Sequence, residues 1–141
     1  MPKSNPKSAA RLSTVQAYYS LLIDKGQNKT AALNAAFDIL QKEKVGIKRK
    51  FSEELLDFML NERSAIEASI QKYLSENKTV DKINPLLLAI ISTAIAELTF
   101  DKETDRPILI NEYLKITADF FDSQESGFVN AIMDKFVKDN A

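Results

Sequence analysis

Residues 84–98 read NPLLLAIISTAIAEL, and this stretch decides the fold. Asn84 supplies a capping side chain, and Pro85 suits a first helical position, where its missing N–H would have had no partner in any case. From Leu86 to Leu98 the chain is apolar nearly all the way round. A helix without a polar face needs other helices around it. The stretch therefore predicts the middle helix of a bundle, with residues 86–98 the most buried segment of the chain.

Toward the N-terminus, Leu12, Val15, Tyr19, Leu22 and Ile23 fall on one helical face and predict a helix over Ser8–Asp24, ended by Gly26. Leu33, Ala36, Phe37 and Leu40 form the stripe of a second helix over Thr30–Gln41, followed by a basic loop from Lys42 to Lys50 around Gly46. Ser52 reads as the cap of a helix that carries Leu55, Met59, Ile66, Ile70, Tyr73 and Leu74 as far as Ser75, kinked or divided near Asn61. Beyond the central helix, a loop over Asp101–Arg106 leads to a helix from Pro107. A last helix spans Glu125–Lys138 behind a Ser123 cap. The expected fold is all-α, a compact bundle of six or seven helices. Residues 1–7, with two prolines, two lysines and one serine before Ser8, form a mobile N-terminal arm, and residues 8–141 form a single domain.

Only three glycines and four prolines in 141 residues leave few places for hairpin turns, which agrees with helices. The absence of cysteine and histidine excludes disulfides, the usual zinc ligands and every nucleophile that relies on histidine as its base. The expectation is a protein that is not an enzyme and has no cofactor and no metal. The longest mostly apolar run, Pro85–Leu98, falls short of the roughly 20 residues that cross a bilayer, and the stretch after Lys3, Lys7 and Arg11 lacks a continuous apolar signal region. A cytoplasmic protein without membrane contact is expected. The net charge of −1 conceals an asymmetry: residues 1–50 hold ten Lys/Arg against three Asp/Glu, so the remaining residues carry a net −8. Such polarity serves either two solvated faces or a polyanion at one end and a basic partner at the other.

Two motifs in the C-terminal third are more specific. Residues 106–114 read RPILINEYL and residues 127–134 read GFVNAIMD, which places Ile110-Asn111-Glu112 and Phe128-Val129-Asn130 on successive helices. Upstream, Ala10-Arg11 leads into Val15-Gln16-Ala17-Tyr18-Tyr19, and Glu97-Leu98 closes the central helix. Together these resemble the NusB family of transcription antitermination factors over nearly the whole chain, with residues 25–52 the weakest part. The resemblance implies two small helical sub-bundles packed together. It also implies binding of boxA-type single-stranded RNA with the ribosomal protein NusE, within the transcribing RNA polymerase complex. RNA contacts would come from Lys3, Lys7, Arg11, Tyr19, Phe120, Phe121, Gln124 and Ser126.

Each of these residues also has a plainer role open to it. Tyr19 shares the Leu12/Val15/Leu22 face, so it is either core or a ring on which a base stacks. Phe120 and Phe121 point about 100° apart on a helix and cannot both be central in a core. Glu112 is a lone carboxylate without nucleophile or metal, which makes a poor active site. Lys42, Lys44, Lys48, Arg49 and Lys50 form the densest basic run, either a solvated loop or an additional phosphate contact. The chain departs from the family pattern in its few N-terminal arginines. It also carries Leu88, Ser92 and Ala96 where relatives have arginine or tyrosine in the central helix. These departures motivate an alternative: a partner-binding protein of the same fold with lost or weakened RNA binding. A third reading, a domain serving an RNA-modifying enzyme, finds no cysteine nucleophile or glycine-rich cofactor loop in this chain.

Overall fold

The computed structural model describes residues 6–42 and 48–141 and contains seven α-helices among them: α1 (Pro6–Ile23), α2 (Lys29–Lys42), α3 (Arg49–Asn61), α4 (Arg63–Lys72), α5 (Pro85–Phe100), α6 (Arg106–Phe120) and α7 (Ser123–Asp139). A short 3₁₀ turn, Val80–Lys82, precedes α5. The expected bundle is what is found. Helix α5 begins as its sequence dictates: the Asn84 side chain accepts from the Leu86 and Leu87 N–H groups at 2.9 and 3.4 Å, with Pro85 as the first helical residue. Every residue from Leu87 to Leu98 is buried. Helices α1, α3, α4, α6 and α7 all pack against it, while α1, α2 and α3 also pack on one another, so α5 joins an N-terminal group to a C-terminal one.

Several helix starts differ from the sequence expectation, and α1 already begins at Pro6, so that Pro6 and Lys7 of the expected arm are helical. Ser52 does not cap α3, which begins at Arg49; it lies inside the helix, buried, and its hydroxyl donates to the Ala10 carbonyl at 2.9 Å. The hydroxyl thus serves a helix–helix contact, a use that local sequence does not distinguish from capping. Helix α7 is capped by Asp122 rather than Ser123, and the Glu125 carboxylate accepts from the Asp122 N–H at 3.1 Å. Asn28, not singled out in the sequence, starts α2 by accepting from the Ala31 N–H at 2.8 Å. The division expected near Asn61 occurs at Glu62. Of the expected basic loop, residues 43–47 lie outside the described residues; Arg49 and Lys50 belong to the first turn of α3.

The connection from α5 to α6 is a compact polar turn. The Asp101 carboxylate accepts from the Glu103 and Thr104 N–H groups at 2.9 and 3.0 Å and from the Thr104 hydroxyl at 2.6 Å. Arg106 closes the C-terminal end of α5 by donating to the Leu98 carbonyl at 2.8 Å and to the Asp101 carbonyl. No described helix is long and apolar enough to cross a membrane.

Candidate nucleic-acid interface

Helix α1 runs antiparallel to α5, because Lys7 lies beside Phe100 and Asp101 at one end while Arg11 bonds Glu97 one turn further in. Helix α6 returns along α5, since its Arg106 reaches the end of α5 and its Tyr113 bonds Glu97. With 16 residues, α5 is about 24 Å long and separates two poles. The sequence candidates divide between them. Lys7 and Arg11 sit at the C-terminal pole of α5. Phe120, Phe121, Gln124 and Ser126, at the α6–α7 junction, sit toward its N-terminal pole, and Tyr19 lies about 12 Å along α1 from Arg11 in that direction. Lys3 lies outside the described residues.

Arg11 is not a surface cation. It is 6% exposed, and its guanidinium donates to both Glu97 oxygens at 2.7 and 2.8 Å and to Glu112 Oε1 at 3.2 Å. Burial opposes its charge, yet the Glu97 bonds and charge outweigh that cost and raise its pKa above the ordinary value. Ser8 donates to the same Glu112 oxygen at 2.7 Å, and Tyr113 donates to Glu97 at 2.6 Å. A phosphate contact through Arg11 would require breaking this cluster, in which Arg11 bridges α1, α5 and α6. Burial, with the neighbouring Glu97, also drives the Tyr113 phenol far above its usual pKa. Lys7 is engaged as well, its ammonium 4.9 Å from the centre of the Phe51 ring.

The aromatic candidates separate, though not through the helical angle, because α6 ends at Phe120 and Phe121 is extended. Phe120 is 45% exposed, whereas Phe121, just past the end of α6, packs partly buried against the core. Tyr19 is half-buried, and its neighbour Tyr18 is fully enclosed. Ser92 is fully buried, which makes the departures in the central helix core-filling residues.

At the N-terminal pole of α5 lies a cleft of about 360 Å³. Lys78, Lys82 and Asn77 from the segment before α5, Asn84 at its cap, and Gln124 and Phe128 from α7 line it. The Lys78 ammonium stands 5.8 Å from the centre of the Phe128 ring, and among the described residues neither lysine forms an ion pair. The first turns of α5 and α7 border this cleft. Glu125 also lines it, with one carboxylate oxygen held by the Asp122 N–H. Lys78, Lys82 and Phe128 did not stand out as site residues in the sequence; the i, i+4 spacing of the lysines beside a helix start is the one local signal they carry.

The NusB family model matches residues 8–138. The chain belongs to the NusB family. Curated relatives include the transcription antitermination protein NusB of Rickettsia typhi, 29% identical, with 98% of this chain and 95% of the relative covered. NusB of Rickettsia conorii is 27% identical over the same shares. Among solved structures, NusB from T. maritima superimposes with a TM-score of 0.83 at 21% identity, covering 97% of this chain and 93% of that one. A complex of the antitermination factors NusB and NusE with dsRNA gives 0.79 at 17% identity, covering 94% and 96%. At these identities the structural likenesses bear on the fold, and the all-α bundle is that of the NusB structures.

Proposed function

We propose that this chain is an RNA-binding transcription antitermination factor that binds boxA-type RNA together with NusE, in the cytoplasm and within the transcribing RNA polymerase complex, and that it is not an enzyme. The observation that carries this reading is the cleft at the N-terminal pole of α5. It combines two lysines for phosphate, amide side chains for base edges, an aromatic ring and two helix N-termini, the set that single-stranded RNA recognition uses. Exposed Phe120 and Gln124 extend the same edge. Family membership supports the reading, and so does the solved assembly of a relative with NusE and RNA. Ser126 is a secondary contact at this pole and Tyr19 one on the way to it, whereas Lys7, held over Phe51 at the opposite pole, lies outside the site.

A second reading, a NusB-fold protein that binds protein partners with RNA affinity lost or weakened, is favoured by one observation: Arg11 and Lys7 are both engaged internally. A labelled boxA-like RNA titrated with the protein, with and without NusE, across a salt series separates the two. Saturable, salt-sensitive binding that NusE strengthens is the expected result. No binding in either case at low salt supports the second reading.

A further inference from the structure

A second cleft lies at the opposite pole, where Lys7, Phe51, Glu54, Phe100 and Asp101 converge above the buried Glu97. At about 200 Å³ it is smaller than the roughly 300–1,000 Å³ of pockets that hold whole small molecules, and it suits a single side chain. Its chemistry is the reverse of the RNA pole. Two carboxylates, Glu54 and Asp101, face the single Lys7 cation, and the Glu97 carboxylate beneath is already paired with Arg11, a balance that disfavours phosphate. Its rim is aromatic: Phe100 is 49% exposed, although its ring packs on Phe58 with centroids 5.2 Å apart.

The cleft already accepts a cation. The Lys7 ammonium lies over Phe51, and its charge contributes to holding the Asp101 carboxyl below the usual range. A cation over a ring and beside a carboxylate is a setting that a planar guanidinium fills at least as well. Phe100 and Glu54, a second ring and a second carboxylate, line the same cleft and are both exposed. The neighbouring cation on Glu54's own helix, Lys50, is 4.0 Å away and largely exposed, a pair of little strength. We propose that this cleft docks an arginine side chain of a protein partner, with the guanidinium stacked on Phe100 and paired with Glu54. The inference is independent of the RNA reading, because the two sites sit at opposite ends of α5.

The test uses the full chain and nuclear magnetic resonance amide shifts, titrated with acetyl-Leu-Arg-Leu-amide and, in parallel, acetyl-Leu-Glu-Leu-amide. The arginine peptide is expected to give saturable shifts around Phe51, Glu54 and Phe100–Asp101, with a Kd on the order of 1 mM, as one anchoring side chain allows. The glutamate peptide should not. Phe100→Ala and Glu54→Gln, both at exposed positions, should each weaken binding about two- to fivefold while leaving the circular dichroism spectrum and boxA-like RNA binding unchanged. The proposal is overturned by the absence of saturable shifts at these residues, by equal shifts with the glutamate peptide, or by insensitivity to both substitutions. It is also overturned if a short oligouridylate binds the same residues more tightly than the arginine peptide.

Discussion

Glu97 is completely enclosed, yet three donors reach its carboxylate: two from Arg11 and one from Tyr113. Removing one partner of such a group leaves the other buried without compensation, at a cost of about 3–5 kcal/mol. Arg11→Ala is therefore expected to lower the unfolding free energy by about that amount in urea titrations, whereas Arg11→Met combined with Glu97→Gln should recover a large part of it. If the single variant is as stable as wild type, the clamp is not what holds α1 to α5 and α6. Ser92 poses the opposite problem. It is 0% exposed, so Ser92→Arg drives a charge into the core beside Tyr18 and should lower the melting temperature by several degrees rather than gain an RNA contact. Sequence marked Arg11 as a cation but not as a buried one, because its partners lie 86 and 101 positions away and nothing local announces them.

Helix α5 was legible as an element because cap, proline and apolar surface all pointed the same way. Asn84→Ala should cost about 1 kcal/mol without changing the fold, read as a lower urea midpoint at unchanged slope. The start of α3 was not legible, since the Ser52 hydroxyl bonds a carbonyl of another helix. The turn after α5 adds a dependence on pH. Partial burial would raise the Asp101 pKa, but its bonds to Thr104 and Glu103 and the charge of Lys7 outweigh this and bring it to about 2 from an ordinary 3.8. A carboxyl depressed by folding stabilises above its unfolded pKa, so this contribution is complete above about pH 4 and is lost as pH falls toward 2. Between those values, wild-type stability should fall more steeply than that of Asp101→Asn. Parallel curves would mean that the turn is no more stable with an ionised Asp101 than with a neutral one.

At the scale of the whole molecule, the described N-terminal cations that the sequence assigned to RNA do not lie at the cleft beside α7. Of the N-terminal cations, Arg11 turns inward and Lys7 settles on Phe51, while Lys78 and Lys82, which belong to the acidic part of the chain, flank the cleft beside α7. Net charge by segment averages over both faces of every helix, which is why it singles out the N-terminal half while the cleft proposed for RNA draws its lysines from the other. The two assignments make different predictions for RNA. Each phosphate contact on a single strand contributes about 0.7 to the slope of log affinity against log salt concentration. Lys78→Ala with Lys82→Ala should therefore flatten that slope by up to about 1.4 and weaken binding to any sequence alike. Phe128→Leu, which keeps the apolar bulk that packs on the core but removes the ring, should cost about 1–3 kcal/mol of affinity if a base stacks there, with the slope nearly unchanged. Lys7→Ala should affect the slope less than the Lys78/Lys82 pair, because its ammonium is already held at the far pole. If Lys7→Ala instead flattens the slope while the Lys78/Lys82 variant titrates like wild type, the phosphates run along the C-terminal pole of α5, and the cleft beside α7 is not where the RNA is held.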